Sequence, residues 1–421
     1  MKLKEASGCA KVWVFRMYET VDQMFVRFGD LVLDWAATRS PGLEPWARVL
    51  LCVGPIAILF PLLFAATTWA ERKLLARIQN RLGPNRVGPA GLLQPVADGL
   101  KTLTKEDIVP DRADKLIHAL APILVMVPAF LVLAVLPMGR NMTAANLHIG
   151  VLFFFAAGSI SQIAVFMAGW GSRNKYSLLG GMRAIAQMVS YEIPFILSAL
   201  TVVMVAGTLS TVEIVESQRL GLTVASDAGW LPRAVAHLAN TVGGWYILQP
   251  WGVSGFLIYL IAGLAELNRS PFDIPEGESE IIAGHHTEYS GFKFALFFMS
   301  EYITMVAVCG LGATLFLGGW QGPRPLPSWA WFFLKVFALM ALMIWVRGSF
   351  PRMRVDQLMA FAWKFLLPLS LVNVLAAGLW MYLPSRVAAW FLGGALMAGA
   401  YFGLCRLVRP GKTGPRHYHY A

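Results

Sequence analysis

Apolar runs of about 18 residues or more recur along this 421-residue chain. At about 1.5 Å of rise per helical residue, a run of that length crosses the hydrocarbon core of a bilayer. A soluble protein with unusually buried helices does not require runs so long. Spanning helices are expected at about 47–70, 117–138, 148–170, 184–206, 246–265, 292–318, 329–346, 366–383 and 387–407, nine in all. Composition agrees, with 57% hydrophobic and 14% charged residues and a mean hydropathy of +0.58. The fold class expected is therefore an all-α polytopic membrane protein, with amphipathic helices at the interface.

The net charge of +11 does not point to nucleic acid, because the basic residues sit between the apolar runs. The loops on one side (71–116, 171–183, 266–293, 347–364 and the chain beyond 405) hold 22 Lys and Arg. The other side holds five, Arg140, Arg219, Arg233, Arg324 and Arg386. The richer side is expected to be cytoplasmic. Basic residues before the first span fall on the sparse side, a conflict eased by the six acids among them.

Cys9, Cys52, Cys309 and Cys405 are scattered, with no CxxC and no histidine partner at ligand spacing. There is also no GxGxxG after a strand and no GxxxxGK[ST]. The chain is expected to hold no metal and no redox cofactor of its own.

Two stretches outside the spans read as amphipathic. In residues 1–46, Val14, Tyr18, Val21, Phe25, Phe28 and Val32 recur at three and four, without a signal-peptide cleavage site. A surface extension is the plainer reading of that segment. In 91–106, Leu92, Val96, Leu100 and Leu103 line one face, and Asp98, Lys101, Lys105 and Glu106 line the other, the pattern of a helix lying in the interface plane.

Charges at depth are the features most in need of a reason. Glu301 falls about 14 Å into its helix and Glu192 about 12 Å from the cytoplasmic end of its own, while Lys335 lies about twelve residues before the exit at Arg347. A charge at the bilayer centre costs about 2.5–3.5 kcal/mol on insertion scales, so such groups face a partner or a water-filled path. One alone reads as half of a structural pair. Three, beside the loop acids Glu266, Asp273, Glu276, Glu278, Glu280 and Glu288, read as a proton pathway. His285 and His286, inside that loop, read as ordinary loop histidines, since no second ligand pair stands at metal spacing.

Several motifs carry a family resemblance: ERK at 71–73, GPNRVGP at 83–89, GLLQPVADGLKTLTKE at 91–106, SYEIP at 190–194, AELNRSPFDIPEGESE at 265–280, EYSG at 288–291, ALFFMSEY at 295–302 and PRMRVDQLMAFAWKFLLPL at 351–369. Together they resemble the quinone-site membrane subunit of respiratory complex I over roughly residues 47–383. The resemblance implies eight spanning helices and a chamber, shared with two peripheral-arm subunits, in which quinone is the substrate. NADH, FMN and the iron–sulfur clusters are then held by partner subunits, and small membrane subunits complete the neighbourhood.

By motif position the resemblance makes Arg72, Arg81, Asp98, Arg269 and Phe272 quinone-binding residues. It makes Glu192, Glu266, Asp273, Glu276, Glu278, Glu280, Glu288 and Glu301 an acidic path, to which Lys335 is added for its depth. Residues 1–46 and 384–421 depart from the pattern, the latter adding a ninth helix with Gly399xxxGly403, a close-packing motif. These extensions favour a bacterial inner membrane over an organellar one. Two rival readings are the related subunit of a membrane-bound hydrogenase or other donor-input complex, and a stand-alone ion-coupled transporter. The full GPNRVGP and PFDIPEGESE segments favour a quinone site, and the lack of a visible inverted repeat counts against the transporter.

Overall fold

The computed structural model describes residues 19–39, 44–219, 240–274, 283–323 and 326–407. In chain order its helices are α1 (Met24–Arg39), α2 (Glu44–Ile78), α3 (Gln94–Thr104), α4 (Lys115–Ala134), α5 (Gly150–Gly171) and α6 (Lys175–Ala206). They continue as α7 (Thr211–Ser217), α8 (Pro250–Glu266), α9 (Gly291–Phe316), α10 (Ser328–Ser349), α11 (Val355–Tyr382) and α12 (Arg386–Leu407). Among the described residues, eight helices are long and apolar enough to cross a membrane: α2, α4, α5, α6, α9, α10, α11 and α12. The remaining expected span, α8, has 17 residues. At about 1.5 Å each it reaches roughly 25 Å, a little short of a hydrocarbon core of about 30 Å.

All nine expected spans are helices, but several run beyond the apolar stretch that revealed them. The helix starts at Lys175 rather than 184 in α6, at Val355 rather than 366 in α11, and ends at Ile78 rather than 70 in α2. Backbone hydrogen bonding does not stop where hydropathy does, so charged turns continue each helix past the membrane exit. Local signals set the true ends. Asp114 and Asn174 accept from the first-turn amides of Ile117 and Tyr176, and Gly207, at φ +72°, closes α6 in the left-handed conformation. Pro250 opens α8, where its missing N–H costs nothing.

The core is built by α4, α5, α6, α8 and α9, with α2 and α12 at the periphery. Small residues allow this close packing. A Cβ on Gly263 would meet Val308 at 2.9 Å, and one on Gly180 would meet the backbone of Gly284 at 2.6 Å. The two amphipathic stretches are helices with exposed apolar stripes: Phe25, Phe28, Leu31 and Trp35 on α1, and Val96, Leu100 and Leu103 on α3. Asp22, just before α1, accepts from the backbone and hydroxyl of Ser328 at 2.6 and 2.5 Å, which ties α1 to the start of α10. The first part of the N-terminal stretch, including Val14 and Tyr18, lies outside the described residues.

Candidate proton-transfer site in the helix bundle

One cavity of about 100 Å³ lies between α4, α5, α6, α8 and α9, and Glu192, Glu266, Glu301 and His285 are among its lining residues. Each acid arrives on a different helix: Glu192 midway along α6, Glu266 as the last residue of α8, and Glu301 three turns into α9. The opposite wall is α5, whose Ser159 and Gln162 stand three residues apart and so share a face. Ser159 Oγ donates to Glu192 Oε1 at 2.5 Å. Gln162 Nε2 donates to Glu192 Oε2 at 3.0 Å and to Glu266 Oε1 at 3.2 Å. A single amide thus spans two carboxylates.

The third acid is held differently. Glu301 Oε1 is 3.2 Å from Arg269 Nε, and Arg269 Nη1 is 2.6 Å from Glu71 Oε2. Arg347 closes on the other oxygen of Glu71, and the Arg269 guanidinium lies 4.3 Å over the Tyr302 ring. Burial pushes the Arg269 guanidinium down, but Glu301 and Glu71 outweigh it and hold its pKa above the ordinary value. A charge as buried as Arg269, 3% exposed, is tolerable only with such partners. The ion pairs join α2, α9, α10 and the loop after α8.

His285 and His286 form a 3₁₀ turn with Gly284. The turn presses on α6 through the Gly180 contact, and Ser177 Oγ donates to the His285 carbonyl at 3.3 Å. The two rings lie 3.7 Å apart and face the cavity. Burial pushes both imidazoles below their usual range, His286 to about 3, and His286 adds to the effect on His285. They are thus neutral cavity walls rather than solvated loop side chains.

The other expected site residues are spread more widely. Arg72 Nη1 and Asp98 Oδ2 pair at 2.6 Å between the end of α2 and α3, both part exposed, and Gln94 donates to Asp98 at 3.1 Å. Arg81 is exposed and bonds Gln79. Phe272 is buried with its ring 5.4 Å from that of Tyr191, so within this chain it packs rather than faces open space. Arg269 sits among the ion pairs above. Asp273 pairs with Arg352 at 3.1 Å, and Glu288 accepts from Asn174 at 2.6 Å. Glu276, Glu278 and Glu280 lie outside the described residues.

Lys335 does not join the carboxylates. Its Nζ donates to the carbonyls of Leu317, Gly319 and Gln321 at 2.6, 2.9 and 2.6 Å and lies 4.2 Å over the Trp245 ring. Those carbonyls follow the C-terminus of α9, where a cation offsets the helix dipole. Sequence reasoning passes over Ser159, Gln162, Glu71 and Arg347. The only signal for the first two is a polar pair at i, i+3 in a 22-residue apolar helix. Glu71 stands inside the ERK motif, which by itself assigns it no role.

The NADH dehydrogenase family profile matches residues 52–378. The H subunit of NADH-quinone oxidoreductase from Dehalococcoides mccartyi (strain CBDB1) is 51% identical over 306 residues, 73% of this chain and 79% of that protein. The protein of the same name from Burkholderia vietnamiensis is 46% identical over 346 residues, 81% and 93% of the two chains. That of Geobacillus kaustophilus is 46% identical over 360 residues, 84% and 97%.

Proposed function

The chain belongs to the NADH dehydrogenase family, and from that membership we propose that it is the membrane subunit of an NADH-quinone oxidoreductase that helps form the quinone chamber and couples quinone reduction to proton translocation. Its relatives carry the name of a subunit of that enzyme, and its helices are those of a multi-pass membrane protein. Electrons reach the quinone from NADH through flavin and iron–sulfur clusters in partner subunits of the peripheral arm. The quinone takes two electrons and two protons to become quinol. In this reading Arg72 and Asp98 steer the headgroup, and the loop acids Asp273, Glu276, Glu278, Glu280 and Glu288 feed the membrane interior from the cytoplasmic side of a bacterial inner membrane.

The observation that carries the coupling half is the shared cavity of Glu192, Glu266 and Glu301. Glu301 also serves an ion pair with Arg269, whereas Glu192 and Glu266 meet neutral donors among the described residues, so ion pairing does not account for them. Each protonation changes its neighbour's proton affinity by a Coulomb interaction that the low dielectric strengthens. A charge change in the chamber is thereby felt further along the membrane. Purification of the tagged chain in mild detergent tests the assignment. Flavin and iron–sulfur partners, with NADH:quinone activity that Arg72→Ala or Asp98→Ala lowers in the assembled complex, are the expected result. Nickel–iron partners, or full activity and inhibitor sensitivity in both variants, contradict it.

A further inference from the structure

Gln162 is not a residue whose type announces chemistry, yet its single side chain reaches two of the buried acids at once. That side chain is buried, 7% exposed, on the α5 face that looks across to α6 and to the end of α8. An amide nitrogen has two hydrogens, and the two hydrogen bonds of Nε2 use both, one on each carboxylate. Hydrogen bonds to an ionised acceptor are stronger than neutral ones. Donors on that side of the pair therefore hold both carboxyl groups in place, while Ser159 supplies a second donor to Glu192 alone.

The pair also has an open side. Glu266 Oε2 is buried and makes no hydrogen bond among the described residues, and the residue borders the cavity. His285, 3% exposed, borders the same cavity, and its Nδ1 likewise makes no hydrogen bond among the described residues. Two buried polar atoms around one space mark the place where a proton carried on water is received. The charged and titratable groups facing this unit are Glu301 with its partner Arg269, from α9 and the loop after α8, and His285 and His286 from the turn against α6.

We propose that Gln162 is a positioning residue for proton transfer, holding Glu192 and Glu266 on one shared donor so that a proton taken up on one carboxylate stays within reach of the other. The proposal rests on the coupling function given above. In the step itself a proton leaves water in the cavity for Oε2 of Glu266. That proton crosses to Glu192 through the cavity water that both residues border and leaves Glu192 for water beyond it. Both carboxylates thus end as they began, and the amide neither gains nor loses a proton. Gln162 sets the separation of the two carboxylates and keeps each within reach of the same donor.

The test uses the assembled complex in vesicles, with Gln162→Met to keep length and volume while removing the donor, and Gln162→Asn to keep the amide but shorten its reach. Gln162→Met is expected to lower the rates of coupled turnover and proton uptake roughly tenfold, the factor given by about 1.4 kcal/mol of lost charge-assisted hydrogen bonding. It is also expected to shift the pH profile of coupled turnover, because the donor common to both carboxyl groups is gone, while Gln162→Asn recovers part of both. Adding Gln162→Met to Glu266→Gln should cost little more than Glu266→Gln alone, since the pair is already broken. Full coupling and an unmoved pH profile in Gln162→Met, with Glu192→Gln and Glu266→Gln impaired, overturn the proposal and leave the coupling function standing. Full coupling in Glu192→Gln and Glu266→Gln as well overturns both. If Gln162→Met fails to assemble, Gln162→Asn alone decides: a coupling and pH profile identical to the parent chain contradict the proposal.

Discussion

At the residue scale, the charges divide by what surrounds them rather than by how deep they lie. Lys335 and Glu301 both stand out in the sequence for depth, yet Lys335 finds three backbone carbonyls and Glu301 finds a cavity and an arginine. Depth is readable from residue count, but the partner is a matter of which helices meet, and one sequence does not tell that. Lys335→Met is accordingly expected to lower the thermal midpoint of the complex, by the order of 1.5–3 kcal/mol in stability for charge-assisted bonds left unmade. Protons moved per electron should stay unchanged in what assembles; a fall in that ratio would instead return Lys335 to the proton path. The Arg72–Asp98 pair carries the opposite expectation. With side chains 49% and 32% exposed it adds only about 0–1 kcal/mol to stability. Arg72→Ala should therefore assemble normally and report on quinone kinetics directly, as a raised apparent KM for quinone. A complex that fails to assemble with Arg72→Ala would mean that the pair is structural.

At the element scale, the turn Gly284–His286 shows what local patterning leaves out. Nothing near His285 and His286 distinguishes them in sequence from solvated loop histidines. Their burial follows from Gly180 and Gly284, two glycines about a hundred residues apart that let backbone lie on backbone. The consequence is a pH dependence with a defined sign. Released, each imidazole titrates near 6.5; docked, burial holds His286 to about 3 and His285 below its ordinary value as well. Between those values the released turn binds more protons than the docked one. Docking is at full strength above pH 6.5 and is lost progressively as pH falls from 6.5 toward 3, by about 1.4 kcal/mol per pH unit for His286, with His285 acting in the same direction. Amide exchange of residues 283–290, corrected for intrinsic rates, should show less protection at about pH 5 than at about pH 7.5, and His286→Phe should flatten the difference. Equal protection at both values would contradict the burial argument. The helices themselves are legible in the sequence because hydropathy acts along the chain, and so are α1 and α3 as amphipathic elements. Some of their ends are not, because a cap such as Asn174 starts α6 well before its apolar run begins.

At the scale of the whole molecule, the acids seen as a row in sequence separate into two arrangements in space. Glu192 and Glu266 share an amide, and Glu301 belongs to the ion-pair cluster of Arg269, Glu71 and Arg347. Both border one cavity, which therefore has a side of neutral donors and a charged side. The outermost helix, α12, bears on how the chain ends. It lies against α11 and α8 at the edge of the bundle, and if it spans, a reporter fused after Arg409 should be cytoplasmic while one fused after Pro384 reports from the other side. Identical compartments would remove α12 from the set of spans. The central claim, that the cavity carboxylates carry coupling protons, is tested most directly by Glu192→Gln and Glu301→Gln, which keep size and hydrogen bonding but remove titration. NADH:quinone turnover and proton uptake are measured in vesicles holding equal amounts of assembled complex. Both variants are expected to assemble and to lose most of their coupled turnover and proton uptake, with Glu→Asp at each position retaining part; unchanged turnover and proton uptake in both Gln variants would contradict the account.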